Sequence, residues 1–238
     1  MLHTLLMMIM FAANLVHAAF TDHEEKQDLS LDAEGVEALK VRAGAGSLGV
    51  TGVEGASRIV VVALIRVPDA DVDEARQIVD DHLILRLNRD GNAAELEGYF
   101  ENAGSVWGSS PEVSLEVRVP TRLSLDIEDS SGSLEVRNVR GEIELDDGSG
   151  SIRLTDVGGR LSVRDGSGSI EIEGAGGDVA IVDGSGSITV ARVDGSITIE
   201  DGSGSIAVSE VSGDLLVPED GSGSFDFSKV AGRVVKAD

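Results

Sequence analysis

Asp147-Gly148-Ser149-Gly150-Ser151-Ile152 returns at Asp165, Asp183 and Asp201, each time after 18 residues, and once more at Asp220 after a step of 19 that adds a residue around Pro218. A looser copy, Asp129-Ser130-Ser131-Gly132-Ser133-Leu134, stands 18 residues before Asp147. A fixed period this short marks stacked coils, each of which must bury its apolar face against the next.

Within a coil the apolar residues alternate. Counted from the second glycine of each turn (Gly132, Gly150, Gly168, Gly186, Gly204, Gly223), the residues two and four positions on are Leu134/Val136, Ile152/Leu154, Ile170/Ile172, Ile188/Val190, Ile206/Val208 and Phe225/Phe227. Between them stand mostly polar residues such as Glu135, Arg153, Glu171 and Thr189. Strict period two predicts a strand with one face inward. Nine residues after each origin another glycine (Gly141, Gly159, Gly177, Gly195, Gly213) opens a second strand with Ile143/Leu145, Leu161/Val163, Val179/Ile181, Ile197/Ile199 and Leu215/Val217 inward. A small apolar residue (Val139, Val157, Ala175, Val193, Val211) fills the corner between them. The fold class is therefore all-β: a single-stranded-coil β-solenoid, β-helix-like, with 18-residue coils of two short strands. Lys236 occupies an inward position of the last coil, and a charged end there suits a terminal cap that discourages edge pairing.

The chain has 238 residues, and its organisation reads as four parts. Residues 1–18 are expected to be a secretory signal: Leu5 to Ala13 is an apolar run short for a bilayer, and Val16-His17-Ala18 offers small residues for a cut between Ala18 and Ala19. The leading region lacks Lys and Arg, so an uncleaved short anchor is the alternative. Residues 19–35 are polar and acidic and read as a flexible lead-in. Residues 36–128 form a β-rich region with a degenerate coil, in which Leu48, Val50, Val53 and Gly55 repeat the later offsets from Gly46. This region also predicts a helix over 71–81 and a hairpin at Arg89-Asp90-Gly91-Asn92. Residues 129–238 are the regular solenoid.

Composition excludes several classes. There is no cysteine, hence no disulfide framework, no Cys-ligated metal and no lipid on a mature N-terminal cysteine. The formal net charge of −24 argues against nucleic acid and anionic lipid as partners, since phosphate contacts need clustered Lys and Arg. After the signal, no segment is long and apolar enough to be a transmembrane helix.

On the export signal, the Leu48/Val50/Gly55 coil, the Val117-Arg118-Val119-Pro120 strand and the Gly-Ser-Gly-Ser-Ile turns, the chain resembles a bacterial β-strand-repeat family of unknown function whose members are proposed adhesins. The resemblance spans about residues 36–236. It implies the solenoid fold and a place in cell-envelope or surface interaction, with an envelope protein or polysaccharide as partner. It supplies no catalytic residue and no cofactor.

Three candidate chemistries remain. The column Asp147, Asp165, Asp183, Asp201 and Asp220 could bind Ca²⁺, making a Ca²⁺-stabilised repeat protein. The calcium nonapeptide, however, needs Asp two residues after its second glycine, where this chain has Ile152, Ile170, Ile188 and Ile206. The plainer expectation is that each Asp caps its own turn. A polysaccharide-active β-helix enzyme would build its site on long loops leaving the coils, and these coils are bare; no His repeats beside the serines either. Tyr99, Phe100 and Trp107 include the sole Tyr and the sole Trp of a chain poor in aromatics and could stack on a sugar or anchor an interface, or else close the end of the core.

Overall fold

Alternating aliphatics build strands, and the strands find their equivalents in the neighbouring coil. A computed structural model of the chain describes residues 21–103, 110–219 and 221–236. The N-terminal part contains β1 (Thr21–Asp32), β2 (Ala38–Ala43), β3 (Ala45–Val53), β4 (Arg58–Ala70), helix α1 (Val72–His82), β5 (Leu83–Asp90), β6 (Ala93–Phe100) and β7 (Glu112–Pro120). The coils follow as β8 (Ser124–Asp129) with β9 (Ser131–Arg137), β10 (Ile143–Asp147) with β11 (Gly150–Val157), and β12 (Leu161–Asp165) with β13 (Gly168–Ala175). Next come β14 (Val179–Asp183) with β15 (Gly186–Val193), β16 (Ile197–Asp201) with β17 (Ser203–Val211), β18 (Leu215–Glu219) with β19 (Ser222–Val230), and finally β20 (Val234–Lys236).

These strands form two ten-stranded sheets, ordered β1-β4-β7-β3-β9-β11-β13-β15-β17-β19 and β20-β18-β16-β14-β12-β10-β8-β2-β6-β5. Through the repeats the pairings are parallel and in register, so Ile152 faces Ile170 and Ile170 faces Ile188, except for a shift between β16 and β18 where the extra residue near Pro218 is taken up. Equivalent residues thus stack as ladders, and the inward Ile, Leu and Val of both sheets close on one continuous aliphatic core. Fully burying each such side chain contributes about 1.5–3 kcal/mol.

The second glycine of each turn is fixed by this stacking. Gly168 has φ +145°, and a Cβ placed on it would lie 1.6 Å from the carbonyl oxygen of Gly150; Gly186 repeats the geometry against Gly168. Only a residue without a side chain lets consecutive coils approach this closely.

Two features of the N-terminal part differ from the expectation or add to it. The lead-in over 19–35 is not a flexible tail where it is described: Thr21–Asp32 is a strand paired antiparallel along β4. Its half-buried Leu29 and Leu31 pack on the core, while the charged residues around them keep an edge strand from further pairing. The degenerate coil is also not separated from the repeats in space. Its strands β2 and β3 stack directly on β8 and β9, with Leu39 against Leu125 and Leu48 against Leu134. The intervening segment folds back over the other side of that coil: β6 and β7 add one more parallel layer, and antiparallel β5, β4 and β1 end the stack. Helix α1, whose N-terminus is capped by the Asp71 carboxylate, packs Ala75 into a small cluster with Val67 and Ala70.

Cross-strand charges hold this irregular end in register. Arg86, Glu97, Arg42 and Glu128 lie on β5, β6, β2 and β8, and each is the register partner of the next. Arg42 bonds Glu97 at 3.1 Å and Glu128 at 3.2 Å, and Arg86 bonds the other oxygen of Glu97. At the opposite end β19 and β20 edge the two sheets, Phe225 and Phe227 sit 5.4 Å apart between ring centroids, and the Lys236 ammonium stands 5.5 Å over the Phe225 ring. The charged residue at that inward position covers the exposed end of the core.

Gly168→Ala is expected to lower stability by about 3 kcal/mol or more, through steric displacement of the neighbouring coil. Urea melts of the two proteins measure it, and a loss below about 1 kcal/mol would show that the coils can separate at little cost.

Candidate functional site

The second strand of each coil opens on a glycine, and inward positions follow at offsets two, four and six. The sixth position is the aspartate. Asp147 follows Ile143 and Leu145 on the buried face of β10, and Asp165, Asp183 and Asp201 occupy the same place on β12, β14 and β16. Asp129 does so on β8. The five are register partners in sequence, Asp129–Asp147–Asp165–Asp183–Asp201. Adjacent parallel strands lie about 4.8 Å apart, which sets the spacing of the column. Asp220, the remaining member from the repeat, lies outside the described residues.

These carboxyls are inside the protein. Their exposures are 7, 2, 6, 3 and 2% from Asp129 to Asp201. All but Asp147 accept a backbone hydrogen bond in their own turns: the amides of Ser167, Ser185 and Ser203 donate to Oδ1 of Asp165, Asp183 and Asp201 at 3.0–3.1 Å, and the amide of Ser130 donates to Asp129 at 2.9 Å. The aspartate carbonyls are also used, since Gly148, Gly166, Gly184 and Gly202 donate to the Asp of the preceding coil. What capping leaves over is the second oxygen. Oδ2 of Asp129, Asp165 and Asp183, and both oxygens of Asp147, are buried without a hydrogen-bond partner.

The electrostatics follow from that burial. Desolvation, with help from the Asp147 charge, pushes the Asp129 carboxyl up to about 7. Desolvation and then the Asp165 charge push Asp183 up to about 6. Asp147 is raised by burial and by Asp165, and Asp165 by burial, against the pull of the Ser167 and Gly166 amides. Among the described residues, no group of three or more His, Cys, Asp or Glu is arranged to hold a metal ion.

The aromatic candidates separate. Phe100 ends β6 on the inward side, half-buried against the main core and against the small cluster beneath α1. Tyr99 lies on the other face of β6, beside Arg42. Trp107 lies outside the described residues, as do Ala18 and Ala19. The outer face of the second sheet next to Tyr99 is a shallow strip in which Lys40 and Arg42 lie between Glu95 and Glu97 on one side and Asp126 and Glu128 on the other. Along the repeats the outward residues pair locally, as in Arg153–Glu171 at 2.6 Å and Arg192–Glu173.

A family model described as Toastrack DUF4097 matches residues 72–234, more than half of the chain. No curated protein matches. A crystal structure of a proposed cell adhesion protein from Clostridium sporogenes is similar over 90% of this chain and 98% of its own, at 11% identity and a TM-score of 0.44. A proposed adhesin from Bacteroides fragilis is similar over 90% and 97%, at 15% identity and a TM-score of 0.42. A proposed lipid binding protein from Parabacteroides distasonis covers the same shares, at 15% identity and a TM-score of 0.36.

The placement of the aromatics has a direct check. Phe100→Ala should cost about 3 kcal/mol because it empties a packed site between two clusters. Tyr99→Ala should cost no more than about 1 kcal/mol. Chemical denaturation of both variants measures the difference, and equal losses would contradict the inward placement of Phe100.

Proposed function

The chain belongs to the Toastrack DUF4097 family, and we propose that it works as an exported, non-enzymatic β-solenoid scaffold, an adhesin-like interaction module of the bacterial cell envelope. The observation that carries this reading is the bareness of the coils. From β8 to β17 the connections between strands are short turns, and the one acidic group that recurs in every coil is turned inward and sealed from solvent. A hydrolase or lyase needs its acid and base in contact with substrate. Here the outward side chains form exposed faces of mixed character, with local pairs such as Arg153–Glu171 and Arg192–Glu173 beside Val182 and Leu216, which suit contact with a partner over an area.

Export is the second element of the proposal. Residues 1–18 are the signal and the mature chain starts at Ala19. Strand β1 begins at Thr21, so this cut leaves the antiparallel edge of the fold whole. The partner class is an envelope protein or a polysaccharide; the net charge of −24 disfavours nucleic acid. Among the described residues no helix is long and apolar enough to cross a membrane.

Mass spectrometry of the protein recovered from the envelope fraction of its own cells should give a chain that starts at Ala19. A full-length chain retained with the cytoplasm would remove the export proposal. For the activity, incubation with uronic-acid polymers should produce no new reducing ends, and turnover lost on substitution of surface acids would overturn the non-enzymatic reading. Crosslinking in intact cells should trap an envelope protein or polysaccharide against the sheet faces.

A further inference from the structure

The unpartnered oxygens of the aspartate column point to a ligand. An ionised carboxylate only accepts hydrogen bonds, so two of them on adjacent coils have nothing to exchange. Protonating one changes this, because its O–H donates to the other. We propose that the column is a proton-binding site, in which Asp129, Asp147, Asp165 and Asp183 hold protons between neighbouring coils, the carboxylic acid of one donating to the carboxylate of the next. The protons come from solvent during folding, and a pair holding one carries a single negative charge in place of two.

The surroundings leave few other ways to satisfy these groups. On their own strands the flanking side chains Glu128, Asp146, Arg164 and Val182 are exposed on the opposite face. The strands across the core, β9, β11, β13 and β15, present Leu134, Ile152, Ile170 and Ile188 and their aliphatic neighbours, with no titratable group among them. Above Asp129 the stack continues at β2, where Ala43 takes a hydrogen bond from the Ser130 hydroxyl. No described Lys, Arg or His forms an ion pair with any of the four carboxyls. Like charges at strand spacing in a site closed to water cannot all stay ionised at modest cost, and a shared proton is the established resolution for a carboxylate pair.

The sign of the pH dependence follows. The folded chain binds more protons than the unfolded one between the ordinary carboxylate range and about 7, the upper value reached by Asp129. Stability contributed by the column is therefore complete below the unfolded value and is lost as pH rises through the folded one.

Thermal melts of the mature chain test this. Tm should fall by about 5 °C or more between about pH 5 and about pH 8. In Asp147→Asn/Asp183→Asn, where neutral amides supply the missing donors, the fall should shrink and Tm at the higher pH should rise above wild type. A wild-type Tm that is flat or rises across this range would overturn the proposal, as would a double variant with an unchanged slope. Should that variant fail to fold, wild type alone decides: urea unfolding in weak buffer near pH 6 should release protons, and net uptake would overturn the idea. The same melts are run with CaCl₂ and with EDTA. Tm indifferent to both supports protons as the ligand, whereas a rise with Ca²⁺ that abolishes the pH slope would reassign the column to a cation.

Discussion

Everything in this molecule depends on one distance, the separation of about 4.8 Å at which a strand must lie from its equivalent in the next coil. A coil of two short strands cannot bury its own apolar face, so it is stable only while both neighbours remain at that spacing. The spacing dictates the glycine column, because at Gly168 the preceding coil's carbonyl oxygen occupies the space a Cβ would take. It dictates the ladders, because in-register pairing places each residue beside its own repeat. The same rule that makes an isoleucine ladder favourable makes an aspartate ladder costly. Aliphatic neighbours add burial, while carboxyl neighbours add repulsion and a desolvation penalty that backbone caps offset only in part.

Much of this was legible in the sequence, and the part that was not has an identifiable cause. The period, the inward pairs such as Ile152/Leu154 and Leu161/Val163, the helix behind Asp71 and the hairpin at Gly91 all follow from local patterns, since period and turn chemistry act over a few residues. Asp-Gly is a turn signal, and it masks the inward position of the aspartates. Carrying the inward count from Gly141 two residues further, past Ile143 and Leu145, reaches Asp147 and would have shown the carboxyl facing the core. Strand β1 was harder to see. His23, Glu25 and Gln27 on its half-buried face are polar, and only its pairing with β4 makes it a strand. Composition carries no trace of such long-range pairing. Nor did it indicate that Asn138, Asp156, Arg192, Glu210 and Lys229, at one corner of successive coils, adopt positive φ between 53° and 59°. Gly174, and to a lesser degree Asn138 and Asp156, are residue types such a backbone favours, whereas Arg192, Glu210 and Lys229 are not.

The two ends of the stack solve the edge problem differently. At the N-terminal end the direction of pairing reverses, and charged strand β1 closes one sheet while the hairpin strand β5 closes the other. In the second sheet the outermost strand β5 runs against the coils, whereas β1, reversed twice through β4, runs with them and is guarded by its charged side chains. At the C-terminal end the pairing remains parallel to the last strand, and the termination is carried by side chains, Lys236 over Phe225 and the cations Lys229 and Arg233 tied back to Glu210 and Asp214. Strand direction thus protects only the β5 edge, while charge protects the β1 edge and the opposite end of the stack.

The identity of successive coils has a consequence for size. Because Gly150, Gly168 and Gly186 meet one another in the same way, residues 165–182 form a unit whose two faces are interchangeable with those of its neighbours. Such a unit can be lost or duplicated without changing any ladder, and each change alters the length of the rod by about one strand spacing. The fold is therefore a ruler graduated in single coils, with reach set by repeat number and independent of the sequence at either end.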